Sequence, residues 1–167
     1  ANLFHSFSEF GVPTNHVANF LNDSGLATSN ILGRVTGGNP SNIFGTIQTT
    51  GFGGANLFVM NPAGIVFGPN ASLNVGGSVN FTTADYLRLA DGGKFTALPG
   101  LQDAAISSAP VAAFGFLGSN PGTITVHGAR LSVPETQGLS FIGGTITITA
   151  ETPQNGPSQS ARLSAPG

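Results

Sequence analysis

The stretch 39-NPSNIFGTIQTTGFGGANLFVMNPAGIVFG-68 sets the reading of the whole chain. Asn39-Pro40 and Asn61-Pro62 stand 22 residues apart (61 − 39). Each is followed by an isoleucine, Ile43 or Ile65, and then by a Phe-bearing run with a glycine. The same offset links Val35 to Leu57, Leu57 to Val79, Ile124 to Ile146 and Phe141 to Leu163. A fixed period of about 20 to 25 residues marks a stacked-repeat architecture. The unit has no helical pattern, only short apolar β-rich runs cut by Gly, Asn and Pro. One such unit cannot bury its own apolar face, so units must stack. The reading is all-β: a parallel β-helix with about 22 residues per coil.

The corners of the coils follow from turn chemistry. Asn61-Pro62-Ala63-Gly64 fits a type I turn, with Asn capping, Pro presetting φ and Gly closing. Asn39-Pro40-Ser41-Asn42 is expected to fit the same mould one coil earlier. Neighbouring coils lie about 4.8 Å apart. The two Asn-Pro turns would then stack as an Asn ladder, with Ile43 over Ile65 in the bore. Phe44, Phe58 and Phe67 are the expected aromatic fill. Leu57-Phe58-Val59-Met60 is apolar on both faces, so its outward side chains need a second layer or a partner to cover them.

Residues 1–21 carry Phe4, Phe7, Phe10 and Phe20 and are read as strands flanking a turn at Pro13–Asn15. Ile31 to Val35 is a short strand. Arg34 is read as a solvated or carbonyl-satisfying side chain. Residues 82–118 break the period. Asp91-Gly92-Gly93 between LRLA and KFTAL signals a hairpin, an excursion outside the stack. The Ala/Gly-rich return after it has no assignment. The period resumes with Asn120-Pro121-Gly122, GTITVHGARLSV and GGTITITA, and SARLSAPG closes the chain. A stacked repeat needs covered ends, so the chain is expected to be an N-terminal piece of a longer protein, 1–167 forming one domain.

Composition narrows the function classes. Five Lys and Arg against seven Asp and Glu leave a net charge of −2, which gives no electrostatic case for nucleic acid. There is no cysteine, so disulfide scaffolds and thiolate metal sites are excluded. Enzymatic β-helices need clustered carboxylates, alone or with Arg or Lys. Here the acids are scattered, and His5, His16 and His127 lack metal-ligand spacing. No phosphate-binding loop or nucleophile elbow occurs. The expectation is a non-enzyme without metal, small-molecule substrate or cofactor.

LFHSFSEFGVPT, followed by ILGRVTGGNPSNIFGTIQTTGFGGANLFVMNPAGIVFGPNASLNVGGSVNFTTADYLRLADG, resembles the N-terminal secretion domain of two-partner secretion exoproteins, the filamentous haemagglutinin family. The close match covers about residues 2–95. The resemblance implies a right-handed parallel β-helix with an N-terminal cap, part of which looks missing before Asn2–Phe10, and a β excursion outside the stack. It implies recognition in the periplasm of a Gram-negative-type bacterium by the POTRA domains of a partner outer-membrane β-barrel transporter. Export of a large adhesin-like passenger, nucleation of its folding and a secreted or cell-surface location follow. No cofactor and no nucleic acid are implied, and a monomer is expected.

Two motifs carry over. Asn39, Pro40, Ser41 and Asn42 fall on the first Asn-Pro motif. Asn61, Pro62, Ala63, Gly64 and Ile65 fall on the Asn-Pro-Asn-Gly-Ile motif, from which Ala63 departs. These turns are open to two roles, shaping the stack or also contacting the transporter. The alternative function is an adhesin segment that binds cell-surface or glycan ligands directly. A β-helix carbohydrate enzyme is the third reading, and the charge map does not support it.

Overall fold

The computed structural model describes residues 1–152 and 156–167. Among these there is no helix, and most strands pair in parallel. The chain winds as a β-helix with three faces. The first face stacks β1 (Asn2–Phe7), β3 (Asn30–Val35), β6 (Asn56–Met60), β9 (Val79–Thr82) and β15 (Leu139–Ile142). The second stacks β4 (Ser41–Ile43), β7 (Ile65–Phe67), β13 (Thr123–His127) and β16 (Thr145–Thr149). The third is broken into β2 (Val17–Leu21), β5 (Thr46–Thr50) and β8 (Ser72–Asn74), and then β14 (Arg130–Ser132) with β17 (Arg162–Ser164). Alternation sends Ile31, Leu57, Val79, Ile43, Ile65, Phe67, Phe81, Ile124 and Val126 into one shared core. At the last coil Ile146 and Ile148 are exposed.

Several sequence expectations hold. Leu57 pairs with Val79 and Ile124 with Ile146. The N-terminal strands β1 and β2 flank a turn in which His16 N donates to Pro13 O, with Asn15 at φ 64. Other offsets do not hold. Leu57 pairs with Ile31, not with Val35, and Leu163 pairs with Leu131, not with Phe141. Corner length varies from coil to coil, so a single period cannot carry every register. Asn56 stacks on Asn30 at 26 residues and Asn30 on Asn2 at 28, although Ser78 follows Asn56 at 22.

Ile43 does not stack on Ile65. Ser41 lies opposite Ile65 and Ile43 opposite Phe67. The slip of two arises at the corner. Asn61–Gly64 closes a turn, with Gly64 N donating to Asn61 O. Ser41 and Asn42 are already in β4, and Ser41 N donates to Gly64 O of the next coil. The type I turn expected at Asn39–Asn42 is therefore replaced by a bend into a strand. Asn61 does bond back to the Asn39 main chain, but the side chain-to-side chain Asn ladder is elsewhere. Asn30 Nδ2 donates to Asn2 Oδ1 at 2.9 Å and Asn56 Nδ2 to Asn30 Oδ1 at 3.1 Å. Of the three aromatic fillers only Phe67 is in the bore. Phe44 is 37% exposed at a corner, where its ring covers Gly68. Phe58 belongs to a second core.

That second core explains the run that is apolar on both faces. The excursion forms a three-stranded antiparallel sheet in the order β11 (Lys94–Thr96), β10 (Tyr86–Leu89), β12 (Val111–Gly115). The hairpin turn at Asp91–Gly93 is present, and the Ala/Gly-rich return supplies the third strand. Leu87, Leu89 and Phe95 pack on the outward Leu32, Phe58 and Met60 of the first face. The cover is thus a layer of the chain itself. Arg34 clamps its far edge. Its Nη1 meets Asp103 Oδ1 at 2.6 Å and Thr96 O at 2.8 Å, and its guanidinium lies 4.5 Å over Phe95. Arg34 is thus carbonyl-satisfying, as the sequence suggested, and also ion-paired.

Candidate recognition site at the Asn-Pro corner

The corner is built on Asn61. Its position after the buried Val59-Met60 and before a proline forces the chain to leave the first face there, since Pro62 N cannot extend the ladder. Asn61 is fully buried. Its Nδ2 donates to Asn39 O and to Ser41 Oγ, each at 2.9 Å. Its Oδ1 accepts from Ala63 N at 3.0 Å, an Asx turn inside the β-turn. Asn61 N itself donates to Thr82 O of the following coil. Both amide hydrogens and the carbonyl oxygen are used, so the side chain has no free group to offer outward.

The residues singled out from sequence divide into two sets. Asn61, Ser41, Gly64 and Ile65 are buried and hold the corner. Asn39, Pro40 and Asn42 are exposed, and Pro62 and Ala63 are partly so. Asn39 points away from the corner and donates to Glu9 Oε1 at 2.8 Å. Gly64 sits at φ 126, next to Pro40 below and Thr123 O above. Gly122 continues the column, because a Cβ there would lie 2.4 Å from Pro62 O. Coil corners thus stack through glycine, which lets main chains approach closely.

The excursion comes close to this corner. A cleft of about 130 Å³ is lined by Gly37, Gly38, Asn61, Pro62 and Ala63 on one side and by Ala97, Leu98 and Pro99 on the other. A larger cleft of about 580 Å³ continues past Thr36, Leu98 and Pro99 to Arg34, Gln102 and Asp103. Its one ion pair, Arg34–Asp103, is internally neutralised. The surface offered is mostly apolar beside the corner, mixed towards Arg34 and Asp103, and uncharged in sum. Sequence reasoning missed this juxtaposition, because residues 97–103 lie in the aperiodic segment. Among the described residues no group of three or more His, Cys, Asp or Glu side chains gathers to hold a metal ion.

A stacked-coil module with a side sheet and a glycine-backed Asn-Pro corner is the class that this architecture defines. The sequence model of the TPS secretion domain matches residues 1–167, and the chain belongs to that family. Membership makes it a secretion module of two-partner secretion, part of an exoprotein exported through an outer-membrane partner, and not a member of a catalytic family. No curated protein and no solved structure matches the chain.

Proposed function

We propose that this domain is recognised by the POTRA domains of its partner outer-membrane β-barrel transporter, directs export from the periplasm of a Gram-negative-type bacterium, and nucleates β-helix folding of an adhesin-like passenger. In this reading the domain acts as a monomer at the N-terminal end of that exoprotein. The observation that carries the reading is the division of labour at the Asn-Pro corner. The buried Asn61 fixes the corner from within, while Asn39, Pro40, Asn42, Pro62 and Ala63 form its accessible rim. Nucleation is supported by the parallel ladder, since each coil offers an edge on which the next can form.

Co-expression with the cognate transporter tests it. Transporter-dependent release into the medium is expected for wild type. Asn42→Arg and Ala63→Arg, which alter the rim without touching the buried bonds, should stay folded and lose release. Unchanged release in both folded variants would remove the corner from recognition, and release without the transporter would remove the export reading itself.

A further inference from the structure

Arg130 and Arg162 come from the same four residues, Ala-Arg-Leu-Ser, at 129–132 and 161–164. The fold brings the two copies together. β14 and β17 pair in parallel with Arg130 opposite Arg162, Leu131 opposite Leu163 and Ser132 opposite Ser164. Leu131 is buried in the core, so alternation turns both arginines and both serines outward. Parallel neighbours lie about 4.8 Å apart and alternate residues on a strand about 6.6 Å. The four polar residues therefore mark the corners of a small rectangle. Together with Leu131 they line a cleft of about 310 Å³.

Like charges directly opposite each other destabilise a ladder, and nothing among the described residues offsets this pair. The ion pair among the described residues, Arg34–Asp103, lies at the edge of the excursion and not at this site. Glu135 and Glu151, the acids nearest in sequence, form no ion pair with either arginine. The residues outside the description, Pro153, Gln154 and Asn155, contain no carboxylate. Arg88 and Lys94 also face each other, but Lys94 turns over the Tyr86 ring at 5.0 Å. Among the described residues Arg130 and Arg162 have no such outlet, in a chain whose net charge is −2.

We propose that Arg130, Arg162, Ser132 and Ser164 form a binding site for one tetrahedral oxyanion, a sulfate or a phosphate monoester. Each guanidinium presents a planar fork of N–H donors that matches such oxygens, and the hydroxyls donate from the other end of the cleft. The bound anion converts the repulsion between the two arginines into two attractive contacts. A discrete oxyanion fits better than an anionic lipid surface, which is recognised by clusters of about 4–8 Lys or Arg.

The test is calorimetric titration of the 167-residue chain with inorganic sulfate and phosphate, with chloride at equal ionic strength as the blank. Saturable binding of the oxyanions is expected. Arg130→Gln and Arg162→Gln should each weaken it about tenfold or more, the loss of one charge-assisted contact. Arg88→Gln removes the same charge elsewhere and should leave it unchanged. A dextran sulfate arm, displaced by excess inorganic sulfate, would identify a sugar-borne ester as the source. Equal weakening by Arg88→Gln, no saturable binding, or binding to phosphatidylglycerol vesicles that inorganic phosphate fails to displace would each overturn the site.

Discussion

Asn61 reaches back one coil to the main chain of Asn39, its Nδ2 lying 2.9 Å from the Asn39 carbonyl. The second hydrogen goes to Ser41 Oγ, also at 2.9 Å, and the side chain is shut off from water. Asn61→Ala leaves these two groups and Ala63 N without their partner in a dry corner. A buried polar group so orphaned costs about 1–3 kcal/mol, so the variant should lose about 2–3 kcal/mol of stability in urea unfolding. Asn42, exposed on the neighbouring strand, makes the control. Asn42→Ala should stay within about 0.5 kcal/mol of wild type. A similar loss in both would mean that the corner is not held by Asn61.

The excursion sheet is a structural layer in its own right. Leu87 is fully buried between that sheet and the outer face of the first stack. Leu87→Ala should cost about 2–5 kcal/mol through lost burial and the cavity left behind. The effect should be local to the second core, with hydrogen exchange rising first at β10, β11 and β12. Loss of protection spread evenly over β3, β6 and β9 would instead mean that the two cores unfold as one.

How much of this was legible in the sequence depended on periodicity. Leu57 and Val79, and Ile124 and Ile146, obey the 22-residue spacing and pair as read. The Asn2–Asn30–Asn56 ladder was invisible because its steps are 28 and 26 residues. Its physical logic is the one assigned to Asn39 and Asn61, where the stacking is instead side chain to main chain. The run Leu57–Met60, apolar on both faces, announced a missing layer, and the layer exists, although Phe58, expected as bore fill, is in fact one of the residues it covers. Its third strand, Val111–Gly115, lacked any pattern that a single sequence could expose, since Ala and Gly give no alternation to read. At the candidate site, Asn61 and Pro62 were legible as a turn. That Asn61 is spent on internal bonds could only come from three dimensions.

His5 ties stability to pH. Its ring packs among Phe7 and Phe20, and its Nε2 is buried without a hydrogen-bond partner. Burial holds its pKa below the usual 6.5. The folded chain therefore resists a proton that the unfolded chain accepts. Between the depressed folded value and 6.5 the unfolded state binds more protons, so stability rises with pH and falls as pH drops through that window. Wild type should lose melting temperature as the pH falls below the usual imidazole value of 6.5, and His5→Phe should lose less of it over the same range. Identical pH profiles for the two proteins would show that His5 is not responsible.

The last prediction concerns how coils are kept in contact at the corner. Gly122 follows Asn120-Pro121 and lies against the turn of the earlier coil. A methyl group placed on it would meet Pro62 O at 2.4 Å, Gly64 N at 3.0 Å and Ala63 C at 3.2 Å. All three are main-chain atoms, so no side chain can swing aside. Gly122 O also accepts from Thr83 Oγ1 at 2.8 Å, which pins the segment from its other side. Gly122→Ala must therefore push the later coil outward, at a cost of about 1–3 kcal/mol as for overpacking elsewhere. Gly100 is a useful contrast. It has φ 85 but open space around its Cβ position, so Gly100→Ala carries backbone strain without a clash. Denaturant unfolding of the two variants, with hydrogen exchange at β13, separates the cases. Gly122→Ala should expose β13 amides and Gly100→Ala should not. Protection of β13 in both would mean that the coils do not rest on glycine at this corner.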